Sequence, residues 1–352
     1  MAAAADATAP VLGEIRTIQY LRGLAAFGVL AFHAAERAGY TFDIGAAGVD
    51  VFFVISGFIM WTVSASRPTT PGAFLTRRIK RIAPLYWAVT LTVSAVAVLI
   101  PGSFPRVEVT VAALLKSLFF VPYRDPQGLI APLIIPGWTL NYEMAFYLLF
   151  ALALLTGARL RPWLVTGALA GLVLLGLAVR PQSAVGIAYT DPVLLEFAAG
   201  VWLGKLWSDG RLGSARAGWT LALAGFAAFA AAGFFAAPTG LVRVAAWGAP
   251  ALMLVAGAVT LERARSIPDL MPLRALGDAS YSVYLVHALA ISIAVRGLAL
   301  VGVVEGPVLF CASLATGLIV GVAAYALVEK PAMALLRGAR RPAASVAPAG
   351  AG

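Results

Sequence analysis

The sequence predicts an all-α polytopic membrane protein, a bundle of about ten transmembrane helices with both termini in the cytoplasm. Three observations predict it: composition, a succession of long apolar spans, and an uneven distribution of basic residues. Of 352 residues 61% are hydrophobic and only 12% charged. The mean hydropathy of +0.90 lies beyond the range of soluble domains. The formal charge of +10 would suit a nucleic-acid partner, but no basic block stands outside the loops that flank spans. Basic residues collect there to orient a chain in the bilayer, so the charge is read as topology and membrane lipids as the partner, with no nucleic acid. The single cysteine, Cys311, falls in an apolar span. That excludes an intrachain disulfide and a thiolate metal cluster, argues against a thiol nucleophile, and leaves no metal site predicted.

In chain order, residues 1–13 form a cytoplasmic N-terminal tail without the basic start of a cleaved signal, so the first span is expected to be an uncleaved signal anchor. The spans run Glu14 to Ala35, Ala46 to Ser64, Ile82 to Ile100, Gly137 to Thr156, Pro162 to Val179, Asp191 to Trp207, Trp219 to Ala236, Leu241 to Leu261, Ala279 to Leu300 and Gly306 to Val328. Together residues 14–331 make one integral-membrane domain, and 332–352 a cytoplasmic, partly disordered tail rich in Pro and Ala. With this drawing, 18 of the 26 Lys and Arg lie on the side of the N-terminus. Val107 to Val121 is short, and Lys116 interrupts it. Were it to cross, most later basic residues would face outward, so it is read as an interfacial or re-entrant helix. The loop that holds it, Pro101 to Pro136, is the expected external lid.

The first span carries Arg22 and His33. Eleven residues make about three helical turns, so both side chains lie on one face, about 16 Å apart. An Arg in a span costs about 2.5 to 3.5 kcal/mol on insertion scales, which implies a polar cavity to receive it. His33 is the imidazole placed to act as a base near neutral pH. His287 ends a ridge with Tyr281 and Tyr284 at every third residue, which suits interhelical hydrogen bonding and substrate binding equally. In the second span Ser56 and Gly57 allow close approach, either of another backbone or of an extended acyl or pantetheine chain. Asp50, at that span's outer end, could pair with His33 or Arg37 or sit in interfacial water.

Ahead of Pro84, the run FLTRRIKRIAP crowds Arg77, Arg78, Lys80 and Arg81 into an interfacial helix. Such residues anchor a span to anionic headgroups. Arg78 and Arg81, three apart, also project to one side, where paired guanidiniums suit a phosphorylated ligand. Glu143 lies inside the fourth span with Thr139 and Asn141 nearby, and a buried carboxylate needs a cation such as Arg22, or protonation. It could orient an imidazole or bind a sugar hydroxyl. Trp138 is either an interfacial belt residue or a stacking platform for a pyranose. Glu196 has a weaker case, and Glu329 reads as a marker of the last span's cytoplasmic end.

The ordered runs IQYLRGLAAFGVLAFHA, GVDVFFVISGF, RRIKRIAPLYW, PGWTLNYEMAFY and LGDASYSVYLVH resemble the membrane-bound acyltransferase-3 family, with PGWTLNYEMAFY most like its exopolysaccharide- and O-antigen-acetylating branch. The resemblance covers about Ile18 to Pro331. It implies a ten-helix enzyme of the bacterial inner membrane that moves an acyl group, usually acetyl from acetyl-CoA, to a hydroxyl of a cell-surface or lipid-linked carbohydrate. Acetyl-CoA is then a co-substrate, with no tightly bound cofactor. Arg22 and His33 match the family's first-helix pair, and Arg78 and Arg81 its cytoplasmic arginine pair. Some members carry a further extracytoplasmic domain; here the membrane part is expected to act alone.

The expectation that joins these readings is one wet tunnel from the cytoplasmic arginines to His33. Coenzyme A would dock on Arg78 and Arg81, pass Ser56 and Gly57, and meet His33 as general base, with Arg22 stabilising the thioester or its leaving group. Glu143 completes the catalytic set, while Asp50, Trp138, Asn141, Tyr281, Tyr284 and His287 are candidates for binding the acceptor. Direct transfer and an acyl-histidine relay both fit. The alternative class is a proton-coupled transporter or flippase of an anionic or lipid-linked sugar, built on Arg22, Glu143 and His33.

Overall fold

The structure is a computed structural model that describes residues 15–104, 107–235 and 237–338. Among these the chain is helical without a sheet, apart from one isolated bridge between Arg124 and Ile130. The elements are α1 (Arg16–Arg37), α2 (Gly48–Ser66), α3 (Pro71–Leu99), α4 (Val111–Leu118), α5 (Trp138–Ala153), α6 (Arg161–Val179), α7 (Ala184–Tyr189), α8 (Leu194–Ser208), α9 (Ala215–Ala232), α10 (Gly240–Arg243), α11 (Ala249–Arg263), α12 (Met271–Leu300), α13 (Gly306–Ala324) and α14 (Lys330–Gly338). Two π-helical segments, Val244–Gly248 and Tyr325–Glu329, carry α10 into α11 and α13 into α14.

Eight helical stretches among the described residues are long and apolar enough to cross a membrane, so the protein is a multi-pass membrane protein. They contain α2, α3, α6, α8, α9, α11, α12 and α13. Neither α1, which carries Arg16, Arg22, Glu36 and Arg37, nor α5, at 16 residues, belongs to that set. Both pack into the same bundle.

Three close pairings organise the bundle: α1 with α12, α12 with α13, and α2 with α8. Glycine sets the distance in two of them. A Cβ on Gly57 would lie 2.1 Å from the Phe197 carbonyl oxygen, and one on Gly200 2.1 Å from that of Val54, so the α2 and α8 backbones touch. Gly57 therefore serves helix packing and faces α8, which corrects its assignment to a donor channel. On the other seam, a Cβ on Gly277 would lie 2.1 Å from the Gln19 carbonyl oxygen. Aromatic rings of Phe53, Phe146, Phe150 and Phe197 fill the space between α2, α5 and α8.

Several expected boundaries move. The arginine-bearing turn before Pro84 is not a separate interfacial helix: α3 runs unbroken through Pro84, capped at its start by the Thr70 hydroxyl, which accepts from Ala73 N. A proline within a membrane helix is tolerated where neighbours satisfy the freed carbonyl. Likewise α12 begins eight residues earlier than its span, at Met271, and residues 332–338, expected in the tail, continue α14. The tail's remainder, residues 339–352, and the N-terminal tail 1–13 lie outside the described residues. Val107 to Val121 does not form a long helix. It contains only α4, eight residues long. That loop is tied down at several points: Tyr86 OH donates to the Ser117 carbonyl at 3.1 Å, Trp87 Nε1 to that of Leu118 at 2.9 Å, and Arg296 to that of Ser103.

Candidate active site

Five helices converge on a cavity of about 140 Å³ in the interior of the bundle. α1 supplies Arg22, α2 Ser56 and Phe52, α3 Arg78 and Arg81, α5 Thr139, Glu143 and Tyr147, and α12 Tyr281 and Tyr284. The spacing of three in RRIKR turns Arg78 and Arg81 to the same side of α3, and both line this cavity. Arg81 is ion-paired to Glu329, whose carboxylate is 2% exposed and also accepts from Ser282. Glu329 is thus a buried counterion, which corrects its reading as a mere end marker. Glu329 is the last residue of the π-helical turn that follows α13. Arg78 packs over the Phe74 ring, and its Nε is buried without a hydrogen-bond partner. Arg22 donates to Gln19 Oε1 at 3.0 Å. Glu143 pairs with none of these cations; it accepts from Ser56 Oγ at 3.1 Å and from Tyr147 OH.

Above this cavity sit the two imidazoles. His33 of α1 and His287 of α12 stack with ring centroids 5.0 Å apart and planes 25° from parallel. His287 is fully buried. Its Nδ1 donates to the Tyr284 carbonyl, which leaves Nε2 buried with no partner. His33 is partly exposed, with Phe32 on one side and its Nδ1 held 3.3 Å from Glu36 Oε2. An imidazole held at Nδ1 by a carboxylate has Nε2 free to take a proton, the arrangement a general base needs. Between the two levels, Tyr284 OH meets Thr139 Oγ1 at 3.0 Å and its ring lies edge-on to Phe52. His33 does not line the inner cavity. The inner cavity reaches Tyr284 and not the His33 ring, so it does not by itself form the single tunnel expected from the sequence.

Residues 15–326 match the acyltransferase-3 family, described as an acyltransferase domain. The chain belongs to the acyltransferase-3 family. Among its relatives, the exopolysaccharide production protein ExoZ of Rhizobium meliloti is 43% identical over 90% of this chain and 98% of its own length. BcsY of Komagataeibacter xylinus, a candidate membrane-bound transacylase, is 30% identical over 90% and 82%, and the acyltransferase MdmB of Streptomyces mycarofaciens 26% identical over 96% of each. No solved structure matches the chain. This acyltransferase-3 protein is accordingly an acyltransferase of the membrane, related to exopolysaccharide production proteins.

Within this acyltransferase the remaining sequence candidates separate by place. Ser56, Tyr281 and Tyr284 join Arg22, Arg78, Arg81 and Glu143 around the inner cavity. Asp50 does not pair with His33 or Arg37. It is fully buried and grips Arg243 through both oxygens, at 3.0 and 2.9 Å. The Arg243 guanidinium lies over Trp138 and Trp247, so Trp138 stacks on a cation of its own protein. Asn141 is buried and lines neither the inner cavity nor the larger outer one under the long loop. The set Asp50, Arg243, Trp138 and nearby Glu196 staples α2 to α5, α8 and α10. Sequence reading missed Glu36, Arg243 and Tyr147. Glu36 and Tyr147 carried a legible signal, one lying three residues from His33 and the other four from Glu143, on shared helix faces.

Proposed function

We propose that the protein is an O-acyltransferase of the bacterial inner membrane that moves an acyl group, acetyl above all, from acyl-CoA to a hydroxyl of a cell-surface or lipid-linked carbohydrate. The observation that carries this reading is the vertical order of the site: three guanidiniums, Arg22, Arg78 and Arg81, around one cavity, then Tyr284, then the His33 and His287 pair. Relatives named for exopolysaccharide production and acyl transfer support it.

The proposed fold has ten spans, adding α1 and α5 to the eight apolar stretches, with both termini cytoplasmic. Contacts between loops support this drawing, because they join segments assigned to one side. Arg16 pairs with Glu262, and Arg263 with the Trp207 carbonyl, on the inner side. Arg296 reaches Ser103, and Arg124 reaches Gln182, on the outer.

Coenzyme A phosphates would meet Arg78 and Arg81, and the pantetheine arm would rise past Ser56 toward Tyr284. His33 Nε2 takes the proton of the acceptor hydroxyl as its oxygen attacks the thioester carbon. The carbon–sulfur bond then breaks, and the thiolate leaves to be protonated. Arg22 stands about three turns of α1 below His33, so it holds the donor and does not stabilise the reacting carbonyl. Glu143 likewise stays with the inner cavity, and Glu36 is the carboxylate that orients the imidazole.

Mass spectrometry of surface polysaccharide from cells with and without the gene tests the reaction. A loss of one acyl group per repeat is expected, and unchanged glycan masses would refute it. Replacing both Arg78 and Arg81 by Gln is expected to raise the KM for acyl-CoA about 10-fold or more, measured on purified enzyme; an unchanged KM returns both to membrane anchoring.

A further inference from the structure

A second cavity, about 720 Å³, lies under the loop between α3 and α5. Its size is that of a site for a small organic ligand. Its apolar walls are Val89 and Val93 of α3 and Leu289 and Val295 of α12. Six charged side chains line it: Arg37, Lys116, Arg124 and Arg296 against Glu108 and Asp125. The acidic pair only partly offsets the cations. One Asp125 oxygen is already used by the backbone amides of Gln127 and Leu129, at 3.0 and 2.8 Å.

Two of the cations are held in place from outside. Arg124 donates to the Gly128 and Gln182 carbonyls at 3.1 and 3.3 Å, and Arg296 to that of Ser103. A guanidinium has five N–H donors, so each retains some for a ligand. The Lys116 ammonium stands 5.9 Å from the Tyr123 ring centre. Four like charges around one cavity repel one another and concentrate a positive field there. Among the described residues no Trp, Asn or Gln lines the cavity, and its aromatic rings are Phe104 and Tyr123, the latter facing Lys116.

Neither imidazole lines the cavity, but their chain neighbours do: Arg37 lies one turn beyond His33 on α1, and Ala288 follows His287 on α12.

We propose that this outer cavity is the acceptor site and that it selects a saccharide bearing a negative charge, as a sugar carboxylate or as the phosphate of a lipid linkage. The inference rests on the proposed function and adds to it the charge class of the acceptor. It is tested by binding, without any acyl donor, to the purified protein in nanodiscs. Three fluorescent probes are compared: a neutral tetrasaccharide, the same tetrasaccharide with one residue replaced by its uronic acid, and the neutral tetrasaccharide on a polyprenyl diphosphate. At least one charged probe is expected to bind about 10-fold or more tightly than the neutral one, and which one does so names the source of the charge. The preference should weaken with added salt and vanish in the double variant Lys116→Gln, Arg296→Gln, while Lys116→Arg retains it. Unaltered acyl-CoA affinity in the double variant shows that it is folded. Equal binding of the three probes, or a preference that survives the double variant, overturns the inference. A saccharide that binds selectively but receives no acyl group when acyl-CoA is supplied counts against the proposed function and leaves the cavity standing as a charge-selective saccharide site.

Discussion

Glu36 holds one nitrogen of His33, and His287 covers a face of the same ring. Orientation is therefore built into α1 and α12 and does not depend on the substrate. His33→Ala is expected to reduce acyl transfer by roughly 10²- to 10⁴-fold, the usual worth of a general base, with acyl-CoA affinity unchanged. Transfer near the wild-type rate at equal protein abundance would remove His33 from the chemistry. Glu36→Gln should lower kcat about 10-fold while the KM for acyl-CoA holds, because it perturbs the ring and not the donor site. An unaltered kcat would return Glu36 to a solvated surface carboxylate. Both residues sit on a helix face that the sequence displays directly; the stacking partner, 254 positions away in the chain, could come only from the fold.

The decisive elements pair through small residues. α2 lies against α8 because Gly57 and Gly200 let backbone meet backbone, and this contact sets where Ser56 and Phe52 stand relative to the inner cavity. Gly57→Val would drive a branched side chain into the Phe197 carbonyl, and overpacking of this kind costs about 1 to 3 kcal/mol. A lowered melting temperature in detergent, with α-helical content retained, is the expected result; an unchanged melting temperature would show that the two helices can separate freely. Ser56 and Gly57 could be read as small residues from the sequence, but which of them faces the partner helix is a matter of rotation about α2. Rotation follows from packing: it turns Ser56 to the inner cavity and Gly57 to α8. Glu329, in the π-helical turn at Tyr325–Glu329, is a similar case: its pairing with Arg81 across the bundle follows from how the helices pack.

At the scale of the whole molecule, one cavity is lined by guanidiniums of α1 and α3 and reaches Tyr284, and another is roofed by the long loop. The proposed orientation places these on opposite sides of the bilayer. With Cys311 replaced by Ser, Gln127→Cys in the loop should react with a membrane-impermeant maleimide on intact cells. Ser266→Cys, between α11 and α12, should react only after the cells are opened. Labelling of Ser266→Cys in sealed cells would reverse the drawing.

Composition and the periodicity of apolar runs determined by themselves that this chain lives in a membrane as a helical bundle, since burying backbone polar groups in hydrocarbon leaves few other choices. Ordered motifs likewise pointed to the family to which the chain belongs. Only the tertiary structure decided which charge neutralises which. Asp50 finds Arg243 and Arg81 finds Glu329 across gaps of 193 and 248 residues, and Glu143 settles for hydroxyls. Coulomb attraction and desolvation act through space, and a linear sequence carries no measure of distance between helices until they have packed.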